Sequence, residues 1–78
     1  MSLLLGDLEV GSTAKVIGFS KGDKAYRKKV LAMGLTKGTV FEVLRVAPLA
    51  DPVEIKLRGF NLSLRKDEAA SVIVEKEN

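Results

Sequence analysis

Two of the commonest catalytic side chains are missing: the chain has no His and no Cys. That removes the imidazole base, the thiol nucleophile and the Ser-His-Asp arrangement in one step. It also removes disulfides and Cys/His zinc sites. Asp67-Glu68 is the nearest thing to a paired-carboxylate acid/base site, and its position in a short turn reads as solvated or capping groups. The glycines of Gly18-Phe19-Ser20-Lys21-Gly22-Asp23-Lys24 lack the spacing of a phosphate loop. Ferrous iron prefers imidazole and carboxylate ligands. Asp7, Glu9, Asp51, Glu54 and Asp67 are scattered without ligand spacing, so the sequence assigns no metal ligand, no cofactor and no enzymatic activity.

What remains is the chemistry of binding. In Ala47-Pro48-Leu49-Ala50-Asp51-Pro52, two prolines restrict the loop, and Leu49 is apolar where a loop is normally polar. Leu49 either folds back as a lid or projects as an anchor for another protein, and the residues alone leave these readings even. A second candidate is the run from Lys21 to Lys29, where Lys21, Lys24, Arg27, Lys28 and Lys29 are opposed only by Asp23. Residues 67–78 are acidic by contrast. The whole-chain charge of +3 is too mild to argue for nucleic acid. A basic barrel stacking single strands would also need more aromatic side chains than Phe19, Tyr26, Phe41 and Phe60, of which Phe41 and Phe60 read as core.

The elements that position these residues follow from periodicity. Val53, Ile55 and Leu57 alternate with Glu54, Lys56 and Arg58, and Phe60, Leu62 and Leu64 alternate with Asn61, Ser63 and Arg65. Folding at Arg58-Gly59 sets Leu57 against Phe60, Ile55 against Leu62 and Val53 against Leu64, with every apolar side chain on one face. A one-residue slip would reverse the faces, so the register is specified. Thr13 to Phe19 reads as a strand. Thr39 to Ala47 is a strand apolar on both faces, which predicts a bend or bulge.

Between these strands, Ala25, Tyr26, Val30 and Met33 recur at helical spacing, with Asp23 as N-cap and Gly34 as the closing residue. Leu3 to Val10 reads as a turn or one helical turn, Lys66 to Ala70 as a helical turn and Ser71 to Glu75 as a closing strand. The expectation is one domain over residues 1–78. It is mainly β, an SH3-like, partly open barrel of about five strands with one inserted helix, with an OB-type barrel second. With no basic start before Leu3-Leu4-Leu5 and no membrane-length apolar stretch, the predicted location is cytoplasmic.

Three segments resemble the FeoA family. Ala25 to Gly38 is similar to its helix and "MGL-xx-G" turn, Arg45 to Val53 to its "APLGDP" loop, and Leu62-Ser63-Leu64-Arg65-Lys66 to its "LSLRK" ending. Together they span about residues 13 to 75 in the family's order. The resemblance implies an SH3-like barrel and a non-catalytic accessory role in bacterial ferrous iron uptake. The implied partner is FeoB, a membrane transporter with a G-domain. Pro48, Leu49, Asp51 and Pro52, with Arg27 and Lys28, are the residues expected to meet that partner. Related domains occur in iron-dependent repressors, which makes metal binding or sensing the alternative; a small nucleic-acid-binding barrel is a third reading. One departure stands in the loop: the family's Gly is Ala50 here, where a positive φ would be strained.

Overall fold

The hairpin is the best-specified local structure. The computed structural model, which describes residues 2–20 and 24–77, pairs Val53–Leu57 with Phe60–Leu64 in the expected register: Leu57 opposes Phe60, Ile55 opposes Leu62 and Val53 opposes Leu64. Arg58 (φ 48°) and Gly59 (φ 84°) make the turn, both in the left-handed region that a two-residue hairpin of this twist requires.

Among the described residues six strands form one antiparallel sheet: β1 (Ser2–Leu4), β2 (Thr13–Phe19), β3 (Val40–Val46), β4 (Val53–Leu57), β5 (Phe60–Leu64) and β6 (Val72–Lys76). Their order is β1-β6-β2-β3-β4-β5, which leaves β1 and β5 as edges of a sheet that does not close. The expected count of five omits β1. Residues 2–4 pair with Glu75, Val74 and Ile73 of β6, and a 3-10 turn follows at Leu5–Asp7. The predicted irregularity in β3 is present as a register shift against β4 between Val43 and Arg45. It lets Phe41 and Val43 point into the core while the apolar parity changes further along the strand.

Helix α1 covers Lys24–Ala32; the proposed N-cap, Asp23, lies outside the described residues. Its C-terminus is closed by Gly34 at φ 101°, with Gly34 N–H donating to Leu31 O at 3.0 Å and Leu35 N–H to Val30 O at 3.1 Å. This pair of bonds is the Schellman pattern, and the two residues it brings together, Val30 and Leu35, are both fully buried. Ala25, expected on the apolar face, is exposed. A second helix, α2 (Lys66–Ala70), fills the predicted turn. The core centres on Phe41, Leu5, Leu35, Ile55, Leu57 and Leu64. Phe60 does not join it: at the edge strand's first residue it stays 45 % exposed.

Candidate functional site

Among the described residues, the loop between β3 and β4 carries the most exposed large apolar side chain. Ala47 N–H donates to Pro52 O at 3.1 Å and closes its base. Residues Pro48–Ala50 form a tight turn, and the Asp51–Pro52 peptide is cis. At the tip Leu49 has φ 65° and is 90 % exposed. The lid reading is therefore wrong for Leu49. Its side chain projects into solvent. The positive φ falls on Leu49 and not on Ala50, so the strain that a left-handed backbone would impose at Ala50 does not arise.

Asp51 faces the protein. Its Oδ1 accepts from Lys66 N–H at 3.2 Å and lies 3.2 Å from Arg65 Nε, while Oδ2 is 3.5 Å from the Arg65 terminal nitrogen. It thus caps the first turn of α2 and ties the loop to the end of β5. Of the residues expected to meet a partner, Pro48 and Leu49 are exposed, whereas Asp51 and Pro52 are half-buried at the loop base. A shallow cleft of about 210 Å³ lies beside that base, lined by Arg45, Ala47, Pro52 and Glu54.

Arg27 and Lys28 lie on the exposed side of α1. With Lys24 and Leu31 they line a depression of about 350 Å³, and the Arg27 guanidinium sits 5.8 Å from the centre of the Phe19 ring. The loop and this helix face are not in one cluster, but α2 bridges them. Tyr26 OH donates to Asp67 Oδ2 at 3.3 Å, and Lys29 pairs with Glu68 from the α1 side. Asp51 reaches Arg65 and Lys66 from the other.

Glu68 was expected to be solvated or capping. It caps, with Oε1 accepting Arg65 N–H at 2.8 Å, but it is also buried. Burial pushes its carboxyl up. The Lys29 ammonium, the Arg65 amide and the Arg65 charge outweigh this and hold it below the usual carboxylate range. Nothing in the sequence separated Glu68 from Asp67; the burial comes from α1 and the 3-10 turn packing on α2.

Among the described residues no three acidic side chains come together as a metal would require. None of their helices is long and apolar enough to cross a membrane.

With this geometry in view, the likenesses to known proteins become informative. A family model described as the FeoA domain matches residues 3–76. A Porphyromonas gingivalis protein described as an Fe(2+) transport protein A/Fe(2+) transporter FeoB fusion is 37% identical over 71 residues. That match covers 91% of this chain and 8% of the relative, so the chain corresponds to a small part of the fusion's length. The NMR structure of a FeoA-like protein from Clostridium acetobutylicum superposes with a TM-score of 0.88 at 39% identity, covering 99% of this chain and 88% of that one. The crystal structure of Stenotrophomonas maltophilia FeoA with zinc, described as a prokaryotic SH3 domain protein, gives a TM-score of 0.79 at 21% identity over 94% of this chain and 89% of that one. At that identity the likeness is one of fold.

Proposed function

Because the chain belongs to the FeoA family, we propose that it is a non-catalytic accessory module of ferrous iron uptake that docks on the cytoplasmic side of a FeoB-type transporter. The observation that carries this reading is Leu49, an apolar side chain 90 % exposed on a loop whose base is tied down by Asp51. A large apolar group held rigidly in water loses little further entropy on binding, which is what an interface anchor needs. Pro48 and Pro52 stiffen the loop around it, Asp51 sets its angle, and Arg27 and Lys28 supply positive charge on the neighbouring helix face.

The fusion of a related segment to a FeoB transporter in the P. gingivalis protein supports the choice of partner. Two segments joined in one chain are held at high effective concentration, and the same contact between separate chains must rely on its own affinity. Titration of the isotope-labelled chain with the soluble cytoplasmic part of a FeoB-type transporter tests the proposal. Saturable shifts centred on the amides of Leu49, Ala50 and Asp51 are expected. Binding that leaves those amides untouched, or no binding at all, would refute it.

A further inference from the structure

The sheet ends at β5, whose outer edge is paired with no other strand among the described residues. In a hairpin with a two-residue turn, the residues of the closing pair exchange both backbone hydrogen bonds, and the pattern repeats at every second pair. Phe60, Leu62 and Leu64 therefore direct their N–H and C=O groups at Leu57, Ile55 and Val53 of β4. Asn61 and Ser63 direct theirs outward. Both residues are exposed, and among the described residues their backbones have no partner on that side. The next outward N–H, that of Arg65, is already taken by Glu68 at 2.8 Å. The open edge is thus bounded: two N–H and two C=O groups on Asn61 and Ser63, ended by the start of α2.

Charge decides what could pair with it. The strand Phe60-Asn61-Leu62-Ser63-Leu64 has no charged residue and no proline, yet it is bracketed by exposed Arg58 on one side and exposed Lys66 on the other, the intervening Arg65 being paired with Asp51. A second copy in the symmetric register centred on Leu62 would bring Arg58 of each chain opposite Lys66 of the other. Like charges placed opposite one another destabilise strand pairing, and basic ends are a common guard against self-association at an edge. An extended segment with acidic residues at both ends meets no such repulsion. Its alternate side chains would rest on Phe60, which is 45 % exposed, and on half-buried Leu62. We propose that β5 accepts an extended, acidic-ended segment of a partner protein as an added antiparallel strand, joined through the backbones of Asn61 and Ser63.

The probe is a capped peptide of alternating valine and threonine with glutamates at both ends, titrated into the isotope-labelled chain beside a control with lysines in place of the glutamates. The expected result is saturable shifts at the Asn61 and Ser63 amides, with their hydrogen exchange slowed at least about tenfold, and binding of the lysine-ended peptide weaker by about tenfold or more. Ser63→Pro removes one outward N–H without touching the pairing to β4 and should abolish the effect. Should that variant fail to fold, Arg58→Glu combined with Lys66→Glu leaves the edge intact and should reverse the preference in favour of the lysine-ended peptide. Absence of saturable change at Asn61 and Ser63, or equal binding of the two peptides, would overturn the proposal. So would protection of those amides through concentration-dependent dimerisation without peptide, which would assign the edge to a second copy.

Discussion

Asp51 and Arg65, fourteen residues apart, meet with Oδ1 3.2 Å from Nε, and the same carboxylate oxygen accepts the backbone N–H of Lys66 at 3.2 Å. The loop that presents Leu49 is therefore fastened to the junction of β5 and α2. Asp51, one of the residues expected to meet a partner, ties the loop that carries Leu49 to the barrel.

Removing that fastening has a modest cost. The ion pair is largely exposed and worth about 0.2–1 kcal/mol, and the cap on α2 about 1 kcal/mol. Asp51→Ala should lower stability by about 1–2 kcal/mol in chemical denaturation. Asp51→Asn keeps an acceptor for Lys66 N–H and should lose less. Equal losses in the two variants would mean that the charge, and not the cap, holds the loop.

Leu49 occupies a backbone conformation that costs an L-residue about 1–2 kcal/mol, partly offset in a glycine variant by the extra freedom of its unfolded chain. Leu49→Gly should thus be as stable as the wild type or more so, by up to about 1 kcal/mol, while losing the anchor. Thermal denaturation followed by circular dichroism measures the first effect. A marked drop in melting temperature would show that the Leu49 side chain supports the fold.

The hairpin turn admits improvement. Arg58 sits at φ 48° beside Gly59, a position where Asn is favoured in turns of this kind. Arg58→Asn should raise stability by about 0.5 kcal/mol, measured as a shift in the denaturation midpoint with an unchanged slope. A lower midpoint would indicate that Arg58 makes a favourable contact in the folded state.

Acid should act through Glu68. Its folded-state carboxyl titrates below the ordinary value of 4.5, so the unfolded chain takes up the proton first as pH falls. The stabilisation is complete above that range and is lost as pH falls from about 4.5 through the folded value. Glu68→Gln should remove this part of the pH dependence, so that stability of the variant varies less as pH falls below about 4.5. An unaltered slope would assign the acid sensitivity to other carboxylates.

How much of this was legible from the residues depended on where each constraint acts. The hairpin register was, because five consecutive pairs repeat one alternation and Gly59 marks the turn. The end of α1 was too, since Gly34 and the apolar Leu35 carry the closing motif locally. Strand β1 was not: Leu3-Leu4-Leu5 has no alternation, and its partner β6 lies about seventy residues away. Phe60 has the right parity for the core but lies on an edge, where burial depends on what stands beside it. The direction of Leu49 was open for a similar reason, since the contacts that hold its loop come from Arg65 and Lys66. The family resemblance supplied the motif, but its glycine drew attention to Ala50 while the left-handed residue is Leu49.

The most direct test of the docking account is the Leu49→Asp variant measured twice, for melting temperature and for affinity to the soluble cytoplasmic part of a FeoB-type transporter. A side chain 90 % exposed contributes little to folding, so the melting temperature should stay within about 3 °C of the wild type. Loss of a central apolar anchor costs at least about 2 kcal/mol, so the affinity should fall by about thirtyfold or more. A variant that binds the transporter as tightly as the wild type would contradict the account.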